Sequence, residues 1–175
     1  STGLKERDKV RDLLGKIVSP EIASELLGKN IELGGEEKYV TVLFSDLRGF
    51  TSLSENLPPK ELLSLLNRYL SVMSQCVERE GGVIDKYIGD AIMAIYGAPL
   101  ANDNHADAAV RTGIAMRNTL VDLNCTLEKE GIAPLTIGIG INTGTVVAGN
   151  MGSEQRLNYS VIGDAVNLAS RLESL

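Results

Sequence analysis

Two aspartates stand where runs of apolar residues end. Asp46 closes Tyr39-Val40-Thr41-Val42-Leu43-Phe44-Ser45, which is apolar on both parities, as in a strand covered on both sides. A carboxylate at the end of a buried strand needs its charge compensated. Arg48 or backbone N–H groups could do this, a cation could, or Asp46 could simply cap the turn or helix that follows. Asp90 follows Gly89 between the apolar runs 83–88 and 91–96, where Gly-Asp reads as a two-residue hairpin turn. Aspartate is also common in turns for purely structural reasons. If these strands are neighbours, the two carboxylates meet at one sheet edge and repel unless a metal lies between them. Oxygen ligands without His or Cys select hard cations, so Mg²⁺ or Mn²⁺ fits. Mg²⁺ takes a couple of carboxylates plus phosphate oxygens, which points to a phosphorylated substrate.

Other polar residues say less by themselves. Lys86 lies four positions before Asp90 on the same hairpin, where an exposed strand lysine is the default. Asn167 and Arg171 stand four apart and share one helix face. A solvated face is the ordinary reading, although the planar fork of Arg suits phosphate. The glycines of Ile137-Gly138-Ile139-Gly140-Ile141-Asn142-Thr143-Gly144 lie inside a strand pattern and open no helix. They mark close packing against the strand, not a dinucleotide fingerprint. His105, the single histidine, is expected near a helix start, exposed and without a catalytic role. Cys76 and Cys125 lack partners at zinc spacing and are expected as free, buried thiols in a reducing cytosol.

The elements that would hold these residues follow from periodicity. Strands are expected at 39–46, 83–88, 91–96, 135–142, 145–149 and 158–162. Leu62, Leu66, Tyr69, Met73 and Cys76 give one apolar helix face, opened by Pro58-Pro59 and closed by Gly81-Gly82. Ala109, Gly113, Met116, Leu120, Leu123 and Leu127 give a second, from about residue 102 to 128. A last helix covers about 164–175. This order suits an α+β fold, a ferredoxin-like βαββαβ sheet with helices on one face plus extra strands. Upstream, Lys5–Leu14 and the capped Ser19-Pro20-Glu21 segment read as short helices. Gly34-Gly35 closes this appendage, so 1–37 is taken as an N-terminal helical linker and 38–175 as the catalytic domain.

Composition narrows the function classes. With 43% hydrophobic residues the chain can build a core, and a net charge of −6 argues against nucleic acid held on a basic face. No apolar run approaches the roughly 20 residues that span a bilayer, and no signal peptide opens the chain. A cytoplasmic location is expected, with a membrane anchor possible outside this sequence.

Three segments together resemble the class III nucleotidyl cyclase catalytic domain over about residues 38–175. They are Phe44-Ser45-Asp46-Leu47-Arg48-Gly49-Phe50-Thr51, Asp85-Lys86-Tyr87-Ile88-Gly89-Asp90-Ala91, and Tyr159-Ser160-Val161-Ile162-Gly163-Asp164-Ala165-Val166-Asn167-Leu168-Ala169-Ser170-Arg171. The resemblance implies an adenylate cyclase that converts ATP to 3′,5′-cyclic AMP and pyrophosphate by in-line attack of the ribose 3′-hydroxyl on the α-phosphate. It implies two Mg²⁺ or Mn²⁺ per site, held by Asp46, Asp90 and the Leu47 carbonyl, with Phe50 and Thr51 beside the substrate. Lys86 and Ser160 would read the purine. Lys with Asp, Thr or Ser is usual in adenylyl cyclases, and Glu with Cys in guanylyl cyclases. Asn167 would position the ribose and Arg171 would neutralise charge on the transferred phosphoryl group. The family works as head-to-tail dimers, here a homodimer, with the aspartates from one subunit and Lys86, Ser160, Asn167 and Arg171 from the other. The first 37 residues resemble the joint to an upstream sensor domain.

Two departures accompany the resemblance. Thr145 stands where some members carry a basic phosphate contact, and family domains usually continue beyond this C-terminus. The alternatives are a guanylate cyclase and a non-catalytic dimerisation or nucleotide-sensing module. Gly34-Gly35-Glu36-Glu37 has the letters of a diguanylate cyclase turn, but it follows no hairpin strand.

Overall fold

The computed structural model describes residues 34–153 and 155–175. The helices expected over 5–14 and 20–27, and the linker up to residue 33, lie outside the described residues. The elements are β1 (Gly34–Leu47), α1 (Phe50–Asn56), α2 (Pro59–Arg79), β2 (Val83–Ile88), β3 (Ala91–Tyr96), α3 (His105–Lys129), β4 (Ile137–Ser153), β5 (Arg156–Ile162) and α4 (Asp164–Glu173). The five strands form one antiparallel sheet in the order β2-β3-β1-β4-β5. Without α1, β5 and α4 this is the expected ferredoxin-like unit.

Strand parity separates two cores. Leu43 and Leu47 of β1 face α2 and α3, packing with Leu65, Tyr69, Met73, Met116 and Leu127. Val40 and Val42 face the other way, packing with Val146, Ala148, Val161 and Ala169. The two crossover helices therefore share one face, as expected, and the C-terminal helix covers part of the opposite one. Pro59 opens α2, and its buried stripe is Leu65, Tyr69, Met73, Cys76 and Val77. The sequence gives no strong sign of α1, a seven-residue helix with no buried residue.

Several boundaries differ from expectation. Residues 34–37, read as the end of the linker, are the first rungs of β1 and pair with Asn150–Val147. Residues 137–153 form one strand, where Asn142-Thr143-Gly144 suggested a break. The reason is tertiary. Asn142 Nδ2 donates to the Ala165 carbonyl at 2.9 Å, and a Cβ on Gly144 would meet Ala165 Cβ at 2.8 Å. These turn-type residues serve α4. His105 is half-buried, not exposed. Its Nδ1 lies 2.7 Å from Thr41 Oγ1, which also bonds Thr143 Oγ1 at 2.7 Å. Of the two free thiols, Cys76 is buried and Cys125 is exposed.

The close packing expected at the Gly-rich stretch is borne out. A Cβ on Gly140 would stand 2.3 Å from both the Ala169 carbonyl oxygen and the Glu173 nitrogen. Backbone lies against backbone there, so nothing can swing aside. Gly113 of α3 differs: its added Cβ would meet only Ile139 and Ile141 methyls at 3.6–3.9 Å. Gly140→Ala is expected to cost ~1–3 kcal/mol through overpacking, and Gly113→Ala to gain up to ~1 kcal/mol through helix propensity. Urea denaturation of the two variants checks both signs.

Candidate active site

The register of the central strand brings the two aspartates together. Ser45 pairs with Ile92 in the β1–β3 ladder. One and two rungs further, Asp46 comes opposite Ala91 and Leu47 opposite Asp90. Ile88 and Ala91 pair across the two-residue turn Gly89-Asp90. Gly89 has φ +62° and, among the described residues, no non-glycine residue, Asp90 included, has positive φ, the pattern of a type II′ turn. The Leu47 N–H donates to Asp90 Oδ2 at 3.2 Å.

Asp46 is electrostatically unsatisfied. Its Oδ1 is shielded from solvent and has no hydrogen-bond partner. Arg48, one of its possible caps, is engaged elsewhere. The guanidinium donates to the Glu173 backbone carbonyl, lies 3.6 Å from Glu173 Oε1, and fills the space above Gly138. Burial pushes the Asp46 carboxyl from its ordinary 3.8 up to about 7, helped by a hydrogen bond shared with Asp90 and by the charges of Asp90 and Glu173. The Leu47 N–H pulls weakly the other way. An orphaned, shielded oxygen on one of two adjoining carboxylates fits a hard divalent cation. Among the described residues no three His, Cys, Asp or Glu side chains converge, so backbone and substrate oxygens would have to complete the coordination.

The purine-side candidates gather elsewhere. A pocket of 510 Å³ is lined by Phe44, Lys86, Ile88, Val161, Gly163 and Asn167. Strands β2 and β5 stand at opposite ends of the sheet order, so the sheet coils until its edges approach. Asp85 bridges them. Register slips between Ile84 and Lys86, leaving Asp85 as the extra residue of a bulge. Its Oδ2 accepts from Ser160 Oγ at 2.5 Å, and its carboxylate also accepts from the Val161 N–H. Burial pushes the Asp85 carboxyl up, while the Ser160 hydroxyl, the Lys86 charge and the Val161 N–H pull it down. Ser160 is only 5% exposed and sits behind the pocket wall.

Asn167 and Arg171 are both exposed on α4. Arg171 stands two residues from Ala169 and from Glu173, the side chains that face the sheet, so it projects from the opposite side of the helix. Among the described residues no carboxylate pairs with it. Phe50 packs against the α2–α3 core and Thr51 is exposed beside it. The structure thus joins Asp46, Leu47 and Asp90, gathers Lys86, Ser160 and Asn167, and sets Arg171 one turn beyond Asn167 on the side of α4 turned from the aspartates. Asp85 and Glu173 are the participants that the motifs do not single out. Asp85 has a readable signal: adjacent charges in a strand cannot both follow the pleat to solvent when one face is covered.

Comparison with known proteins decides the family. The model of the adenylate and guanylate cyclase catalytic domain matches residues 35–175. The chain belongs to that family. It is 43% identical over 152 residues to an adenylate cyclase of Anabaena cylindrica, covering 84% of this chain and 29% of that protein. The adenylyl cyclase CyaB of P. aeruginosa superposes with a TM-score of 0.78 at 48% identity, covering 81% of this chain and 74% of that one. The guanylyl cyclase Cya2 does so with 0.78 at 46%, covering 81% and 72%. The chain spans about 30% of the length of the curated relatives it matches. Among the described residues no helix is long and apolar enough to cross a membrane.

The Asp46 shift has a testable sign. Between the ordinary carboxyl value and about 7, the folded chain holds a proton that the unfolded chain has released. Stability therefore falls as pH rises through that window, and the cost is absent below it. Without divalent metal, Asp46→Asn is expected to raise the melting temperature at pH 8 and leave it nearly unchanged at pH 4. Mg²⁺ or Mn²⁺ should stabilise the unmutated chain at pH 8 and lose most of that effect in the variant. Thermal denaturation at both pH values checks this.

Proposed function

We propose that the chain is the catalytic domain of an adenylate cyclase whose sites are shared between two head-to-tail copies, converting ATP to cyclic AMP and pyrophosphate. One observation carries this reading. Asp46 and Asp90 adjoin while the nearby Arg48 is turned to Glu173, and Arg171 points away on the far side of α4 and, among the described residues, has no carboxylate partner. Each copy supplies a complementary half. Leu168 and Leu172, 40% and 38% exposed, and Leu175 form an apolar strip beside Arg171 that a second copy would cover.

Asp46, Asp90 and the Leu47 carbonyl would hold two Mg²⁺ or Mn²⁺. Bound there, the ions supply Lewis acidity at the ribose 3′-hydroxyl and neutralise the triphosphate. The protein otherwise positions and screens charge. Lys86 donates to an adenine ring nitrogen, and the Ser160 oxygen takes part in reading the purine. Asn167 orients the ribose. Arg171, a planar donor with fixed charge, neutralises the phosphoryl group as negative charge builds on it. Phe50 and Thr51 open α1 just after the metal-holding strand, against the substrate. Lys86 favours ATP over GTP because an ammonium can only donate.

The upstream segment is proposed to join the domain to a sensor that sets how the copies meet, and the domain is proposed to work in the cytoplasm. A guanylate cyclase is the second reading, since Cya2 is as similar in fold as CyaB.

Asp46→Ala and Arg171→Ala proteins should each lose about 100-fold or more of cyclase activity. Mixing them should restore a substantial fraction, because one of the two sites in a mixed dimer is intact. No recovery under conditions where the copies associate would overturn the shared site. Turnover of ATP against GTP with Mn²⁺ separates the two substrate readings.

A further inference from the structure

We propose that Asp85 is a specificity-positioning residue: it claims the Ser160 hydroxyl proton and so leaves the Ser160 oxygen able only to accept. The inference rests on the proposed role of Ser160 in reading the purine, and it concerns how a serine can read at all. A free hydroxyl both donates and accepts. It would satisfy the C6 amino group of adenine and the C6 carbonyl of guanine about equally, and would discriminate poorly between them.

Here the ambiguity is removed. The Ser160 hydroxyl donates to Asp85 Oδ2 at 2.5 Å, the short separation of a hydrogen bond to a charged acceptor. Its lone pairs are what remain, and they suit a donor, the amino group of adenine. A guanine carbonyl brought to the same place would face acceptor against acceptor. Asp85 is held to this task from two further sides. The Val161 N–H donates to it and the neighbouring Lys86 charge favours its ionised form. The bulge between Ile84 and Lys86 is what turns it across to β5. Lys86 and Asp85 thus divide the work, Lys86 lining the pocket and Asp85 setting the polarity of the wall behind it.

Asp85→Asn is the informative change, being nearly isosteric. The Val161 N–H needs an acceptor and takes the amide oxygen, so the amide NH₂ turns to Ser160 and frees its hydroxyl proton to point at substrate. Steady-state kinetics with ATP and GTP in the full chain should show the ratio of kcat/KM for ATP to that for GTP falling about tenfold, the scale of one hydrogen bond reversed. GTP use should rise in absolute terms. A merely structural clasp would lower both substrates together and leave the ratio unchanged, and that result would overturn the inference. Ser160→Ala separates this from failure of the underlying reading. If Ser160→Ala shifts the ratio and Asp85→Asn does not, Ser160 reads the base without Asp85. If Ser160→Ala leaves the ratio unchanged, the purine role of Ser160 fails and the inference with it. In the double variant the Asp85→Asn change should have no further effect on the ratio; an undiminished effect there would overturn the inference. Should turnover of Asp85→Asn be too low to measure, competition of ATP and GTP against a fluorescent nucleotide with Mn²⁺ reads the ratio of their affinities, which should fall in the same direction; an unchanged ratio there would overturn the inference.

Discussion

The contact between α4 and β4 across Gly140 fixes more of this molecule than its size suggests. Backbone of Ala169 and Glu173 lies where a side chain would otherwise stand. That closeness buries Ala169 in the second core and carries Glu173 down beside Asp46. Gly138 continues the same device, leaving space for the Arg48 guanidinium that holds the end of α4 through Glu173. The helix that bears Asn167 and Arg171 is therefore seated by the same strand that lies against the metal-motif strand. Disturbing one half of the proposed machinery should disturb the other through β4.

That seating explains why Asp46 is uncomfortable. The charges of Asp90 and Glu173 both bear on Asp46 at the end of β1, yet Arg48 is turned to Glu173. An arginine placed to neutralise Asp46 would make the fold more stable and fill the position a cation needs. Keeping it two residues further on, turned to the helix, leaves Asp46 Oδ1 shielded and without a partner; Glu173 Oε1 also lacks a hydrogen bond, but the Arg48 charge lies 3.6 Å from it. Such a deficit in a folded chain is characteristic of sites whose ligand completes them.

Much of this was legible in the residues themselves. The periodicity of α2 and α3 and the Gly89-Asp90 hairpin are local properties, and the structure keeps them. The pairing of Asp46 with Asp90 needed one further assumption, that the hairpin neighbours β1, and the register supplies it. What stayed hidden depends on contacts distant in sequence. Asn142 and Gly144 carry turn chemistry but answer to Ala165 on α4, so a continuous strand reads as two. Glu36 and Glu37 are polar and follow two glycines, yet pair with Ala148 and Val147 of β4. The adjacent charges mark Asp85, but its partner stayed hidden because it lies 75 residues away, on a strand that only the coiling of the sheet brings near.

The distribution of charge also bears on why such a site would be divided between copies. A chain of net charge −6 repels a triphosphate on average, and the carboxylates at the end of β1 repel it most strongly. Cations bound to Asp46 and Asp90 would reverse that field locally, but only over a distance comparable to the screening length, roughly 8 Å at physiological ionic strength. The fixed positive charge of Arg171 cannot be added from within the same chain, because α4 presents its opposite side to the sheet. A second copy placing Arg171 against these aspartates would therefore supply what one copy lacks, in both geometry and charge. On that reading an isolated chain can bind metal and hold a purine without turning over. The orientation of two copies, which an upstream segment can alter without touching the chemistry, would become the natural point of control.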